Sequence, residues 1–285
     1  MPRTRCPFTL APPRGIAAQG LVCALLAGWS LGAGAQADTA DRPALLFNVG
    51  LRLWSAQWDS WNVGPTATGV AVGDDRYEVV ESLRGGQELA TIPVLSVRYG
   101  PAFVSASAMT TTKYRLHEAA TPGGFDVQAS RRERDVNLGY VFSSGISLSI
   151  AAKEISQRFG PDEYKWRGPL LGLGAGAAIG SGWGIYSNLG AGRLKGRFPS
   201  AFPDADGKTK FNADYRLVEA GFTRAFAAPM PGVKALVLTA GYRAQRMGTR
   251  NYTLGVVSGG TRRPNTTGEL VDTTQGFVLG AQGTF

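Results

Sequence analysis

The sequence predicts an all-β fold: a closed, antiparallel, up-and-down transmembrane β-barrel of about ten strands, with eight or twelve as the neighbouring even counts. Three observations predict it. Ten segments of strand length alternate apolar and polar residues with a period of two, which gives each strand one apolar face and one small or polar face. The connections between these segments alternate long and short. The chain also lacks a long apolar helix beyond its leader, has mean hydropathy near zero and carries 39 Gly. Such a composition suits strands of which only half the residues meet lipid.

The amino terminus has the features of an export signal. Arg3, Arg5 and Arg14 form a basic leader, Leu21 to Trp29 an apolar run, and Ala35-Gln36-Ala37 a small-residue cleavage site. The apolar stretch falls short of the ~20 residues a spanning helix needs. The expectation is a cleaved signal peptide over 1–37 and one barrel domain over 38–285. Cys6 and Cys23 both lie in the leader, and Gly20-Leu21-Val22 before Cys23 lacks the small residues of a lipidation site. The mature chain is therefore expected to hold no disulfide, thiol nucleophile or Cys-based metal site. His117 is the sole histidine, so no His-rich metal site and no cofactor is expected. Removing three arginines from 30 basic residues leaves 27 against 21 acidic ones, so the net charge falls from +9 to +6. Nucleic acid is not an expected partner of an exported chain, since basic charge speaks to partners only.

The expected strands are 45–59, 88–100, 101–113, 131–143, 145–158, 166–181, 183–196, 211–227, 232–247 and 270–285. Each reaches or exceeds the ~9–11 residues that cross the hydrocarbon when tilted. The clearest outward rows are Phe47, Val49, Leu51 and Leu53, then Val136, Leu138, Tyr140 and Phe142, then Ile146, Leu148, Ile150 and Ala152. The last strand sets Phe277, Leu279, Ala281 and Phe285 against Thr274, Gly276, Val278, Gly280 and Gln282. Short turns are expected at Tyr99-Gly100-Pro101, Ser143-Ser144-Gly145, Gly180-Ser181-Gly182 and Ala227–Pro231, where Gly, Pro and Ser are natural turn residues. Long connections are expected near 60–87, 114–130, 159–165, 197–210 and 248–269, with a small hairpin around Gly73-Asp74-Asp75. The edges must close on each other, because hydrocarbon cannot satisfy an open strand edge.

The opposite rows place polar side chains inside. Asn48, Arg52, Arg98, Lys153 and Arg243 are expected to face the lumen, with Glu219 as their acidic partner, because a charge on the lipid face near the midplane costs ~2–4 kcal/mol. They read either as a salt-bridge network that plugs a narrow barrel or as a basic constriction favouring anions. Gly172, Gly174, Gly176, Gly190 and Gly192 on inward rows leave room in one sector. Trp54, Trp58 and Trp61 near one end, and Trp183 and Tyr99 at the other, suggest interfacial aromatic girdles. The long connections are flanked by Arg131, Arg132, Arg134, Arg197, Lys208, Lys210, Arg262 and Arg263. This basic rim suits phosphorylated lipopolysaccharide in an outer leaflet.

The alternating closing strand, its terminal Phe285, and the short and long connections resemble bacterial outer-membrane β-barrel proteins as a class. The resemblance spans the whole mature chain and matches no functionally defined subfamily. It implies residence in the outer membrane of a Gram-negative bacterium and delivery by the barrel-assembly machinery, which reads the strand ending in Phe285. It leaves a porin-like channel as an alternative to a plugged barrel. Among such barrels, the omptin proteases use paired acids and an Asp–His couple at the rim. Here His117 beside Glu118 and the pair Asp74-Asp75 resemble a few of those residues without their motif context. No Ser motif accompanies His117, and the Gly172–Gly176 run lacks the helix a dinucleotide fingerprint requires. The sequence reading is thus a non-enzymatic barrel, with a rim hydrolase using His117 as a further alternative.

Overall fold

The computed structural model describes residues 45–65, 77–118, 124–200, 207–253, 257–258, 261–262 and 267–285. The leader and cleavage site, Asp74-Asp75 and Arg263 lie outside these residues. The chain forms a closed ten-stranded antiparallel barrel with two extra short strands and no helix among the described residues. The strands are β1 (Leu45–Pro65), β2 (Tyr77–Tyr99), β3 (Ala102–Ala108), β4 (Thr112–Glu118), β5 (Asp126–Val141), β6 (Ile146–Phe159) and β7 (Asp162–Gly180). They continue with β8 (Trp183–Arg197), β9 (Lys210–Met230), β10 (Val233–Thr253), β11 (Val257–Ser258), β12 (Thr261–Arg262) and β13 (Thr267–Thr284).

β1 pairs with β2 on one side and β13 on the other, so no spanning edge stays open. The seam runs to the last residue, where Phe285 N–H donates to the Phe47 carbonyl at 2.8 Å. β3 and β4 together act as one wall strand, broken at Met109–Thr111. The ladder is kept there by Met109 N–H donating to Glu133 O at 2.8 Å and Thr110 N–H to Thr91 O at 2.9 Å.

Faces follow the pleat. Leu45, Phe47, Val49, Leu51 and Leu53 are all exposed on the outside of β1, as are Val136, Leu138 and Tyr140 on β5. At ~3.4 Å per residue and ~40° tilt, such a nine-residue row covers about 20 Å along the normal, close to the ~25 Å apolar band of barrels in membranes. Tyr99, Phe142, Trp183 and Phe285 are exposed beside the short turns. At one end the connections are tight, with Gly100 (φ 56°) and Gly182 (φ 77°) taking conformations that need no Cβ.

One expectation about the long-connection end fails. The connection expected over 159–165 is a two-residue turn, Gly160-Pro161, because β6 and β7 stay paired through Phe159↔Asp162. β2 extends to Tyr77 against Pro65, and the hairpin expected around Gly73-Asp74-Asp75 lies outside the described residues. A short hairpin, β11–β12, follows β10 in sequence. The ladder that carries the apolar belt thus continues beyond it on several strands.

Candidate functional site: the bridged lumen and the outer wall

Inward rows build the site. β1 contributes Arg52, β9 Glu219 and β10 Arg243, all at or below 7% exposure. Arg52 Nη2 donates to Glu219 Oε1, and Arg243 Nη1 donates to Glu219 Oε2 at 3.2 Å. From the facing wall, β5 presents Arg131, Glu133 and Asp135, and β6 presents Lys153. Lys153 Nζ donates to Glu133 Oε2 at 2.7 Å and to Asp135 Oδ1 at 3.0 Å. Arg131 Nε donates to Glu133 Oε1 at 2.9 Å. The two halves meet where Gln245 Nε2 of β10 donates to Glu133 Oε1 of β5 at 2.6 Å. Arg243 Nη2 stands 4.0 Å from Glu133 Oε2.

β5 and β10 are five strands apart in a ring of ten, so they lie diametrically opposite. A direct bond between them means that side chains cross the lumen. Aromatic rings brace the bridge: Arg243 lies 5.1 Å from the Trp54 ring centre, Arg131 5.7 Å from Trp58, and Lys153 5.1 Å from Tyr215. Cations held over ring faces in a desolvated setting gain electrostatic attraction from the ring quadrupole.

On the long-connection side of the bridge the lumen fills with rings. Trp58 packs on Phe159 at 5.1 Å, Tyr164 on Phe198 at 4.9 Å and Phe198 on Phe211 at 4.6 Å. Trp58 Nε1 donates to Asp272 at 3.1 Å, and Trp166 Nε1 donates to Gln157 at 3.1 Å. Gly196 faces Trp166 directly across the ladder, and a Cβ there would collide with the indole. Toward the short turns Arg98 is the charged member of a lining that is otherwise polar or apolar: Asn48 Nδ2 donates to Ser96 Oγ at 3.1 Å, and Thr284 Oγ1 donates to Asn48 Oδ1 at 2.7 Å. Internal cavities of about 90, 100 and 180 Å³ remain on the two sides of the bridge and around it. At ~30 Å³ per water, each holds a few waters.

The lumen residues singled out in the sequence therefore separate into two groups. Arg52, Lys153, Glu219 and Arg243 join the bridge. Asn48 and Arg98 do not, and Arg98 instead donates from Nε to the Gly100 carbonyl at 2.7 Å. Glu133, Asp135 and Tyr215, which the sequence reading does not single out, complete the bridge together with Gln245. Arg131 is a correction: it is a buried lumen cation at 2% exposure, not a rim contact, because β5 begins at Asp126 and its odd positions turn inward. Trp54 and Trp58 are a second correction. Both are fully buried inside, on the same parity as Arg52, rather than in an interfacial girdle.

The outer wall carries the other cations. Arg134, Arg197, Lys208 and Lys210 are exposed and Arg132 is half-buried. Arg132 pairs with Glu163 at 3.2 Å. Arg262 belongs to β12. His117 is exposed on β4, with Nδ1 3.0 Å from Asp126 Oδ1, while Arg115 Nε donates to Asp126 Oδ2 at 2.6 Å. These two hydrogen bonds, from His117 first and Arg115 second, hold the Asp126 carboxyl below its usual range. Glu163, at the same end, is lowered to about 2, chiefly by the Ser156 hydroxyl and then by Lys165.

No protein-family model matches the chain, and no curated protein matches it. Among solved structures, the outer membrane protease OmpT from Escherichia coli is similar with a TM-score of 0.50 at 10% identity, over 87% of this chain and 99% of that one. The outer membrane protein OprG from Pseudomonas aeruginosa gives 0.36 at 9% identity, over 86% and 97%. A Pseudomonas aeruginosa FadL homologue gives 0.26 at 9% identity, over 86% and 90%. At such identities the first likeness speaks to the barrel fold alone.

Proposed function

We propose that this protein is a non-enzymatic integral barrel of the Gram-negative outer membrane, delivered by the barrel-assembly machinery, whose lumen is closed by side chains. One observation carries the reading: the Gln245–Glu133 hydrogen bond joins opposite walls at 2.6 Å. An ion moving through would have to part a network of four cations (Arg52, Arg131, Lys153, Arg243) and three carboxylates (Glu133, Asp135, Glu219). Breaking buried pairs singly strands the remaining charge, which opposes spontaneous opening. The exposed apolar belt supports residence in a bilayer, and the leader expected over 1–37 supports export.

Planar-bilayer recording tests the reading. The purified barrel should give no stepwise openings in 1 M salt, and the variant Gln245→Ala/Glu133→Ala should give openings or a raised leak. Regular openings of the unaltered protein would sink it and favour an anion-selective channel. The His117–Asp126 contact at 3.0 Å favours a second reading, a rim hydrolase with Asp126 orienting His117. Peptide or lipid hydrolysis that disappears in His117→Ala would establish it. Equal rates in both proteins would remove it.

A further inference from the structure

Outward positions just beyond the apolar belt differ sharply around the barrel. On β7 the outward row passes from Leu171 and Pro169 to Arg167 and Lys165. On β8 it passes from Ala191 to Arg193, Lys195 and Arg197, and on β9 from Val218 to Arg216, Asp214, Asn212 and Lys210. The register sets these cations side by side. Lys165 stands opposite Arg197, and Arg197 opposite Lys210, so three strands carry one row of like charge. Arg167 stands opposite Lys195, and Arg216 opposite Arg246 of β10. Like charges directly opposed across a ladder destabilise it unless something between them is negative.

Carboxylates supply only part of that. Glu163 lies 2.9 Å from Lys165, Glu154 2.8 Å from Arg167, and Asp214 3.5 Å from Arg193. Lys195, Arg197, Lys210 and Arg216 are exposed and have no carboxylate at ion-pair distance among the described residues. On the opposite wall β1 presents Ser55, Gln57 and Asp59, β2 presents Arg84, and β4 presents Lys113 and Arg115, of which Arg115 bonds Asp126. No Lys or Arg of that wall stands opposite another across the ladder.

We propose that the β7–β9 wall is a binding stripe for a phosphorylated glycolipid of the outer leaflet, a partner that rests on the outer-membrane reading above. The stripe starts at headgroup depth, since Arg216 stands two residues beyond Val218, about 5 Å along the normal at ~3.4 Å rise and ~40° tilt. It rises to Arg197 and Lys210, about 21 Å beyond Val218. The chemistry fits as well. Guanidinium forks take phosphate oxygens two at a time and ammonium groups act as point charges, so adjacent rows suit a headgroup with more than one phosphate. The stripe omits the buried Arg131 and adds Lys165, Arg167 and Arg216 to the rim expected from sequence.

The test compares two glycolipids with identical acyl chains, a diphosphorylated lipid A and its chemically dephosphorylated form. Each is titrated onto the full-length mature barrel in phosphatidylcholine nanodiscs. The unaltered protein should prefer the phosphorylated lipid about tenfold or more. The variant Lys195→Ala/Arg197→Ala/Lys210→Ala/Arg216→Ala should lose that preference while keeping the heat-modifiable gel mobility of a folded barrel. Equal binding of the two lipids by the unaltered protein, or a preference that survives in the variant, overturns the proposal. Full competition by millimolar inorganic phosphate also overturns it, because the stripe would then be an ion site. Failure of the unaltered protein to fold in any lipid bilayer would overturn the outer-membrane reading itself, and the stripe with it.

Discussion

Two sets of cations in this barrel use the same residue types for opposite ends. Inside, Arg52, Arg131, Lys153 and Arg243 are nearly inaccessible, and each is bonded to a carboxylate. Outside, Lys195, Arg197, Lys210 and Arg216 are exposed, stand beside one another and lack such a bond among the described residues. Burial explains the difference. A charge withdrawn from water must find its counter-ion within the protein. A charge at the headgroup level can borrow one from lipid. Pairing goes with burial here, and the proposed lipid stripe goes with exposure.

The comparison breaks most severely at Glu133, which serves Arg131, Lys153 and Gln245 together. Glu133→Ala strands the buried Arg131, leaves Lys153 with Asp135 alone and should lower unfolding stability by about 3–5 kcal/mol, read from urea titrations of the bilayer-inserted barrel. Next comes a charge on the face that should carry none. Val49 lies at the middle of the apolar row of β1, and Val49→Arg should cost ~2–4 kcal/mol in the same assay. A cost near zero would show that this face does not meet lipid.

A smaller effect sharpens the boundary between the sets, at Glu163. Its carboxyl is lowered to about 2, against an unfolded value of ~4.3. The folded form therefore gains stability that is complete above pH ~4.3 and is lost as pH falls toward 2. Ser156→Ala removes the leading cause and should raise the Glu163 midpoint in carboxyl-resolved NMR, at a cost below ~1 kcal/mol near pH 7. The smallest effect belongs to the outer stripe. Lys195→Ala/Arg197→Ala should change stability in phosphatidylcholine by no more than ~0.5 kcal/mol, since exposed charges contribute little to folding.

The expected strand rows at 45–53 and 136–142 coincide with exposed apolar faces because a period of two survives any uncertainty about strand ends. The ends themselves were less legible. Placing the start of the fourth wall strand at 131 made Arg131 look like the flank of a loop. The observed start at Asp126 carries the parity through, and Arg131, Glu133 and Asp135 fall inward beneath Val136 and Leu138. Trp54 and Trp58 share the parity of Arg52, so the alternation already held the signal for their burial. The turn at Gly160-Pro161 was hidden because the charged residues of 159–165 read as loop, whereas Asp162, Glu163 and Lys165 belong to a strand that rises clear of the apolar belt.

What the sequence alone determined is which side of each strand carries the apolar row and which turns inward, since that depends only on the pleat. The tertiary structure decided which inward groups meet. Gln245 and Glu133 are 112 positions apart and touch only because closure sets β5 facing β10. Barrel diameter and stagger control such meetings, and both are properties of the closed ring that no local repeat encodes.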